Sequence, residues 1–570
     1  MSHLEPTSLY DFHKTTPMRN GVLNWYPFAE DSSALEQSGE ALSGMLQNRC
    51  GRVISFAGEY AGSEKFDYVV AVDSGEITVD LLSKYYSYLN ERGRLLLAFA
   101  NPYGLQYFSG KRNPRTGAEY TFWAGESRKE VGIRLKQAGF AAQKWYYPFT
   151  DHYFTREIYS ESCLPNEFLN HRGHEYIADD YTKQFDERGL WQEVIRGGAF
   201  PFLCNSYLVE ACVSSSDESC EVDYAAITVY REREKAFVTT VRNDQTAEKI
   251  AIYSEGKEQL AQTFENHKAL CSFGVNVLPV ELSDGKLTMA RIALPTLWDW
   301  MTRKLSEHTL DEKILFYLFD KINDEITKTA NSGKCFWEMV PANCFYDERN
   351  GKLIFFDQEY AWAGVDYRMA LVRAIHALLY SFAFKNCDKT EEWVAALKQR
   401  YDLEKDWDQL AGMADKQTIE FVFNKEATKP VERFTDRAWL RMQEQAERAA
   451  ERAAERAAER AAERARYNKM CVVAVALRSR QIKRSAIYGY GARGQMLRLV
   501  LELNDTDVTC VIDKSMPIVR GIPLVASVEE MSETPDVIIV TPLKGANEIA
   551  DEIKSIISCP VMTIDEVING

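Results

Sequence analysis

The sequence lacks the spacing patterns that mark several classes of protein. Its twelve cysteines are scattered from Cys50 to Cys559 without a Cys-x-x-Cys pair, which argues against a zinc module or a disulfide framework and predicts reduced thiols. Its best apolar run, residues 470–477, is far too short to span a bilayer. Residues 1–19 are polar and lack the apolar stretch of a signal peptide. We therefore expect a cytoplasmic protein with no transmembrane segment, and peripheral docking on a membrane stays open.

The chain also has fewer basic than acidic residues. The chain has 68 Lys and Arg against 84 Asp and Glu, and its formal net charge is −16. Because neutralising phosphates requires clustered Lys and Arg, we expect no nucleic-acid partner. Hydrophobic residues make up 46% and charged residues 27% of the 570 positions, the balance of ordinary globular protein. Chains of this length split into several domains, and three or four are expected here.

The tetrapeptide Ala-Glu-Arg-Ala is repeated five times between Ala446 and Ala465. All three residue types are strong helix formers, and neither Gly nor Pro interrupts them. A period of four residues drifts around a helix that closes in 3.6, so no bulky apolar seam for a coiled coil develops. The repeat predicts one long, exposed helix over residues 436–467 that acts as a spacer, with weak oligomerisation as the alternative.

The N-terminal region, residues 1–200, alternates short apolar runs with amphipathic segments. This rhythm is typical of βαβ units and predicts a parallel sheet. The segments that carry a resemblance are 22–28 (VLNWYPF), 66–70 (FDYVV), 93–97 (GRLLL), 101–105 (NPYGL), 138–140 (AGF) and 146–149 (YYPF). Together they resemble class I S-adenosylmethionine-dependent methyltransferases encoded with bacterial surface-glycan genes.

That resemblance implies a Rossmann-like fold with S-adenosylmethionine bound after the first strand, by Glu36, Gly39 and Gly44. The chain departs from the family because the glycine-rich turn is shortened and the ribose-binding strand with its helix is not recognisable between residues 52 and 66. A degenerate, structural methyltransferase-like domain and a working enzyme are both open.

The central region, residues 205–430, opens with strand-like runs at 223–230, 236–241 and 249–253, followed by an amphipathic helix at 256–270. Residues 336–345 (FWEMVPANCF) then lead through a turn at 347–351 into the strand 352–359. This order is similar to the catalytic core of small-molecule and sugar kinases of the protein-kinase-like fold.

The kinase resemblance implies ATP and Mg²⁺ as cofactors, with Glu338 in the catalytic position and with Asn343 and Asp357 as metal ligands. Tyr253 stands where the phosphate-pairing lysine is expected, which leaves Lys249 or Arg242 for that role. Either Glu258 or Glu265 is the candidate helix partner of that lysine. Ordinary turn chemistry also accounts for Asn343 and Asp357, so an active kinase, binding without transfer and a purely structural loop remain alternatives.

The C-terminal region, residues 483–570, has a strand that runs into Gly489-x-Gly491-x-x-Gly494 and then a helix. A second strand ends at Asp513. This context is similar to the nucleotide- or sugar-nucleotide-binding Rossmann domains of bacterial glycan enzymes. It implies a small doubly wound α/β domain that binds NAD(P) or a nucleotide-sugar, with Arg493 as a phosphate contact and Asp513 on the ribose. A Rossmann-like fold without a ligand is the alternative.

The expected whole is therefore an α/β multidomain protein with a degenerate Rossmann-like methyltransferase domain, a kinase-like α+β domain, a helical spacer and a doubly wound C-terminal domain. One hypothesis is an enzyme of bacterial surface-glycan (O-antigen or capsule) biosynthesis that acts on a sugar or glycan-lipid. The other is a catalytically degenerate scaffold or regulator of glycan assembly, which binds nucleotides or partner enzymes.

Overall fold

In a computed structural model, the chain folds into two compact units, Met1–Met442 and Gln443–Gly570. The structure describes residues 16–37, 42–167, 187–417 and 425–569, except positions 57, 59, 74, 114–115, 119–122, 124–125, 216–219, 382 and 385–386. The predicted site residue Gly39 lies outside the described residues. The two units are considered separately below.

A mixed 12-stranded sheet forms the frame of the first unit. Its strands are β1 (Ser33–Glu36), β2 (Arg52–Ser55), β3 (Phe66–Val72), β4 (Leu89–Ala100), β5 (Ala142–Thr150), β6 (Thr155–Ser160), β7 (Ser206–Cys212), β8 (Val222–Ile227), β9 (Phe237–Arg242), β10 (Thr246–Ala251), β11 (Glu281–Ser283) and β12 (Lys286–Ala290). Their order is β11-β12-β10-β9-β8-β6-β5-β7-β4-β3-β1-β2.

One end of this sheet is parallel and the other is antiparallel. β2, β1, β3 and β4 run parallel, whereas every pair from β4–β7 to β11–β12 is antiparallel. The parallel strands are rich in apolar residues and β3 is buried along almost its whole length, as expected for strands covered on both faces. β2 lies parallel beside β1 at the edge of the sheet, and the described residues between β2 and β3 form no helix.

The sheet does not stop where the two predicted N-terminal domains should meet, between residues 200 and 205. β7 follows that point in sequence but lies between β4 and β5. β6 of the N-terminal region pairs with β8 of the central region, through Tyr159 and Tyr224 and their neighbours. The N-terminal and central regions therefore contribute strands to one sheet.

The first unit also contains helices, and some of them start with a side-chain cap that the sequence supplies. They are α1 (Ser43–Gln47), α2 (Val79–Tyr88), α3 (Leu105–Phe108), α4 (Arg128–Gln137), α5 (Arg188–Arg196), α6 (Phe200–Leu203), α7 (Lys257–Ser272), α8 (Leu297–Ser306), α9 (Glu312–Thr327), α10 (Arg368–Leu379), α11 (Thr390–Arg400) and α12 (Trp407–Gln417). Thr296 and Asp311 cap α8 and α9 by accepting backbone N–H groups, and Ser127 forms a capping box with Glu130 at α4.

The helices α8–α12 pack into an apolar core that extends to two small sheets. These sheets are the hairpin of β14 (Cys344–Asp347) with β15 (Lys352–Phe355) and the pair of β13 (Lys334–Cys335) with β16 (Trp362–Ala363). The hairpin turns at 348–351, as the sequence predicts. Because the core holds the base of the hairpin, the residues that flank β14 and β15 have fixed positions.

The repeat lies within α13 (Lys425–Ser479), which begins in the first unit and ends in the second. Residues 447–468 are all exposed, so the repeat has no apolar seam, in agreement with its four-residue period. Beyond it, Met470, Val473, Ala474 and Leu477 pack into the core of the second unit.

The second unit contains a five-stranded parallel sheet in the order β19-β18-β17-β20-β21. Its elements are β17 (Arg484–Tyr488), α14 (Ala492–Leu503), β18 (Asp507–Ile512), β19 (Leu524–Val525), β20 (Val537–Val540), α15 (Ala546–Ile556), β21 (Val561–Thr563) and α16 (Ile564–Asn569). The order reverses at β17, which is the doubly wound arrangement expected from the sequence. Across the described ranges, no helix is both long and apolar enough to cross a membrane.

Candidate functional site

A buried lysine lies at the centre of the charged cluster in the first unit. Lys249 is on β10, and its side chain is 3% exposed. Its Nζ forms ion pairs with Oδ1 of Asp357 and Oε1 of Glu359. Burial alone would lower the pKa of Lys249, but the two carboxylates outweigh it and raise that pKa. The lysine is therefore held charged inside the protein.

Arg231 brings a second cation to the same cluster. It lies in the segment that joins β8 to β9, and its Nη1 is 2.7 Å from Oε2 of Glu359. Burial alone would raise the pKa of Glu359, but Arg231 and Lys249 together lower it. Glu359, whose side chain is 1% exposed, is thus an ionised carboxylate between two cations. This residue was not among those predicted from the sequence.

The β14–β15 hairpin brings the two predicted metal ligands to one end. Asn343 directly precedes β14, and Asp357 follows β15 by two residues. The carbonyl oxygen of Asn343 accepts the N–H of Phe356 at 3.0 Å. Asp357 has a φ of +56°, in the left-handed region, and its side chain is 39% exposed. A non-glycine residue held in this conformation is uncommon and is often found at functional sites.

Glu338, the predicted catalytic residue, is anchored by backbone. Its Oε2 accepts the N–H groups of Glu359 at 2.6 Å and Tyr360 at 3.3 Å. Burial, followed by the charges of Glu359 and Asp357, raises the pKa of Glu338. The structure thus brings Glu338 to the cluster, but as a buried group in which protonation is favoured.

Helix α7 holds the segment after β15 that carries Glu359, although not through the predicted carboxylates. Gln259 and Asn266 donate to the Glu359 carbonyl at 2.7 and 3.0 Å. The expectation that Glu258 or Glu265 pairs with the lysine is wrong, because both face solvent and Glu265 pairs with Lys268 instead. Amides, rather than an acid, therefore connect this helix to the site.

Tyr253 and Arg242 lie apart from the cluster. Tyr253 follows the end of β10, and its ring stacks with the guanidinium of Arg233 at 3.9 Å. Arg242 pairs with Glu221. Of the three residues considered for the phosphate-pairing role, the structure places only Lys249 with Asp357.

A cavity of about 410 Å³ has sequence neighbours of Lys249 and Asp357 in its lining. Ala247 of β10 lines the cavity. It lies two residues before Lys249, on the same face of the strand. Phe356, next to Asp357, forms part of the opposite wall and stacks on Phe345 at 4.3 Å. The other lining residues are Tyr159, Cys163, Leu164, Pro165, Asn166, Tyr224, Thr239, Val241, Leu278, Met289, Ala290, Arg291, Ile292 and Thr296. A largely apolar space of this size beside a few charged groups is typical of small-ligand sites.

Two predicted cofactor residues of the N-terminal region, Glu36 and Gly44, are among the described residues. Glu36 is fully buried at the end of β1, where its carboxylate accepts the Leu42 N–H at 2.7 Å and the hydroxyls of Ser43 and Ser55. Gly44 is in the first turn of α1, and a Cβ there would meet open space. The Glu36 carboxylate therefore connects the end of β1 to the start of α1 and to β2, and it is fully buried.

A second polar cluster lies at the carboxyl end of β3. His152 Nε2 is 2.7 Å from Oδ1 of Asp73, and its Nδ1 is 2.7 Å from the hydroxyl of Ser206. Asp73 has a φ of +55°. No motif marks this cluster in the sequence, because its three residues come from separate strand ends.

In the second unit, the glycine loop lies at the switch point of the sheet. Gly489 has a φ of +86°. A Cβ at Gly494 would lie 2.2 Å from the Gly489 carbonyl oxygen, whereas at Gly491 it would meet nothing within 4 Å. Gly494 thus allows helix α14 to pack on the loop, and Gly491 leaves open space in front of the helix.

The two side chains predicted to assist that loop have other contacts. Asp513 accepts the Tyr490 N–H through Oδ2 at 2.7 Å and the Ser515 N–H through Oδ1 at 2.9 Å. Burial alone would raise the pKa of Asp513, but these hydrogen bonds and the Ser515 hydroxyl lower it. The hydrogen bond and charge of Lys469, followed by the charge of Arg493, lower the pKa of the Asp565 carboxyl. Asp513 therefore ties the loop to the second strand.

Protein side chains alone form no metal site in the part of the chain that the structure describes. Among the described residues, no group of three or more His, Cys, Asp and Glu could hold a metal ion. Mg²⁺, however, commonly takes one or two protein oxygens and completes its shell with water and phosphate oxygens. Asn343 and the partly exposed Asp357 fit that requirement.

Comparison with known proteins gives weak likenesses to parts of the chain. No family model and no curated protein matches it. A crystal structure of an S-adenosylmethionine-dependent methyltransferase from Thermotoga maritima, described as a possible histamine N-methyltransferase, is 11% identical over 36% of this chain and 91% of that chain, with a TM-score of 0.20. The PknI kinase domain of Mycobacterium tuberculosis is 15% identical over 30% of this chain and 78% of that chain, also with a TM-score of 0.20. At these values the likeness carries no argument about activity.

Proposed function

We propose that the first unit binds a nucleoside triphosphate together with Mg²⁺ in the cleft that contains Lys249 and Asp357. The observation that carries the proposal is a buried, charged lysine paired with a partly exposed aspartate beside an apolar cavity of about 410 Å³. A flat base fits the apolar cavity, and a polyphosphate needs the cation and the metal.

Each residue of the cluster has a role in this proposal. Lys249 binds phosphate oxygens once Asp357 turns to the metal. Asp357 and Asn343 hold Mg²⁺, which neutralises phosphate charge when it is bound. Arg231 keeps Glu359 ionised and in place, so that Lys249 retains one carboxylate partner throughout.

The enzymatic version of the proposal is phosphoryl transfer to a hydroxyl, with Glu338 as the base. A sugar or glycan-lipid acceptor in O-antigen or capsule biosynthesis is supported by the sequence resemblance alone. Since protonation of Glu338 is favoured in the folded protein, transfer is expected to be slow near neutral pH and to accelerate as the pH rises.

The second candidate is nucleotide binding without turnover, in a scaffold or regulator of glycan assembly. The contacts of Glu338 favour it, because Oε2 already accepts two backbone N–H groups. In this candidate the bound nucleotide stabilises one conformation that partner enzymes recognise.

Calorimetric titration of the full chain with ATP and Mg²⁺ tests the proposal. We expect binding that weakens at least tenfold in Asp357→Asn and without Mg²⁺. Asp402→Asn is the matched control, because Asp402 is an exposed aspartate with a similar φ of +53° in the loop after α11, and its affinity should stay at the wild-type value. No heat of binding and no thermal stabilisation by ATP would refute the proposal, and release of phosphate would separate the two candidates.

The other cofactors expected from the sequence are proposed on fewer observations. NAD(P) or a nucleotide-sugar is proposed for the glycine loop of the second unit, because Gly491 borders open space at the switch point of the sheet. Gly491→Val should abolish any thermal stabilisation by these ligands, and retained stabilisation would exclude the loop. The proposal that S-adenosylmethionine binds at the end of β1 rests on the sequence resemblance. If S-adenosylmethionine does not raise the melting temperature, this proposal is wrong.

A further inference from the structure

The face of the sheet that covers the cavity crosses from the central region into the N-terminal region. Tyr159 of β6 pairs with Tyr224 of β8, which pairs with Val241 of β9, which in turn pairs with Ala247 of β10. Directly paired residues point to the same side of a sheet, and all four line the cavity. The cavity therefore extends beneath a strand that the kinase-like region does not contain.

The two tyrosines of this row are fixed by a buried carboxylate. Glu157 precedes Tyr159 by two residues on β6 and is 6% exposed. Its Oε1 accepts the Tyr224 hydroxyl at 2.7 Å and its Oε2 accepts the Tyr159 hydroxyl at 2.8 Å. The ring centroids are 5.3 Å apart. Charge-assisted hydrogen bonds to one carboxylate hold both rings in position, so this part of the cavity wall is preorganised.

The segment after β6 closes the side of the cavity. Cys163, Leu164, Pro165 and Asn166 all line it. Nδ2 of Asn166 donates to Oδ2 of Asp299 on α8 at 3.1 Å, and the next residue, Glu167, pairs with Arg303 of the same helix at 3.4 Å. This segment therefore runs from the sheet to α8 and joins the two sides of the cleft.

We infer that β6 and residues 163–166 of the N-terminal region form the specificity-determining wall of the nucleotide cavity, where Tyr159 and Tyr224 contact the bound base. This inference rests on the proposed nucleotide site and adds that the methyltransferase-like region contributes to it directly. A nucleotide in the cavity excludes reagents from Cys163, whose thiol is half-buried in that wall.

Alkylation of the wild-type full chain by N-ethylmaleimide, followed by peptide mass mapping, tests the inference without a variant. Cys271 is the internal control, because it is exposed on α7 and does not line the cavity. We expect ATP with Mg²⁺ to slow alkylation of Cys163 at least fivefold and to leave Cys271 unchanged. If ATP stabilises the protein but Cys163 reacts at its original rate, or if both thiols are protected alike, the inference is wrong while the nucleotide site stands. If ATP neither stabilises nor protects, both fall together.

A pair of substitutions gives an independent test. Leu164 lines the cavity and is 44% exposed, and Leu190 on α5 is 41% exposed and lies outside it. Leu164→Trp should fill part of the cavity and weaken ATP binding at least tenfold, whereas Leu190→Trp should bind ATP as the wild type does. Equal affinities of the two variants would overturn the inference.

Discussion

The two candidate nucleotide sites of this chain are formed by different kinds of groups. In the first unit, the segment between β8 and β9, residues 228–236, contains no glycine, and its Arg231 joins a buried network of charged side chains. In the second unit, three glycines within six residues shape the loop, and the backbone itself borders open space. One site depends on side-chain charges brought together from distant positions, and the other on local backbone freedom.

This difference determines what a substitution can do at each site. Removing one charge from a buried network leaves its partners uncompensated, so the cost extends to the whole fold. Adding a side chain to a glycine loop has an effect that depends on the nearest atoms, and therefore varies from one glycine to the next. The predictions below test this contrast.

The largest effect is expected at Lys249. Lys249→Met leaves Asp357 without its cation and Glu359 with Arg231 alone, and we expect the first unit to lose about 3–5 kcal/mol of unfolding free energy. Denaturant titration of the full chain measures it. The control is Lys268→Met, which removes an exposed pair with Glu265 and should cost less than about 0.5 kcal/mol. Similar losses in both variants would show that the buried network does not stabilise the unit.

A smaller effect is expected at Gly494. In Gly494→Ala the new Cβ would meet the Gly489 carbonyl oxygen at 2.2 Å, so helix α14 must shift, at a cost of about 1–3 kcal/mol. Gly491→Ala adds a methyl group to open space and should change stability by less than about 0.5 kcal/mol. Thermal unfolding of the two variants checks the difference, and equal melting temperatures would contradict the packing role of Gly494.

Asp513 should contribute about 1 kcal/mol. Asp513→Asn places an amide N–H₂ against one of two backbone N–H donors, Tyr490 or Ser515, and loses one hydrogen bond. The pKa of Asp513 is lowered in the folded protein. Its contribution is therefore present above the unfolded pKa and is lost as the pH falls through the folded value. The stability of the variant should equal that of the wild type in acid and should be lower at pH 7. A difference in stability that stays constant across this pH range would exclude the proposed contribution of the Asp513 carboxylate.

The smallest effect is expected at Glu338 and depends on pH. Its pKa is raised, so its favourable contribution is full below the unfolded pKa and is lost as the pH rises through the folded pKa. Glu338→Gln should therefore match the wild type in acid, exceed its melting temperature by a margin that grows as the pH rises towards about 8, and keep a constant margin above that pH. For Glu265→Gln, at an exposed position, the difference in melting temperature from the wild type should not depend on pH. A flat difference for Glu338→Gln as well would mean that its carboxyl is not shielded from water.

The same contrast explains what could be predicted from the sequence. The glycine loop and its flanking elements were recognisable, because β17, the loop and α14 are contiguous and the turn needs residues of one type. The strands β8 to β10 and helix α7 were placed within a few residues, since each has its own periodicity. The hairpin around residues 347–351 was also readable from its turn residues.

The charged cluster could be predicted only in part. Asn343 and Asp357 share one short stretch of sequence, whereas Arg231, Lys249 and Glu359 come together from three different segments. Helix α7 presents amides where the sequence suggested carboxylates, because Glu258 and Glu265 lie on its outer face. The join between β6 and β8 was also missed, since strand pairing between regions depends on edges that no local pattern reveals.

The position of β7 has a consequence for anyone who divides this protein into fragments. A cut near residue 204 would remove the strand that lies between β4 and β5, and it would leave two central strands with unpaired backbone groups. The complementary fragment would start with β7 deprived of both neighbours and would expose the edge of β8 that β6 covers. Unprotected edges of this kind pair with other chains, so separately expressed halves should aggregate, whereas a fragment that ends after α12 keeps the whole sheet.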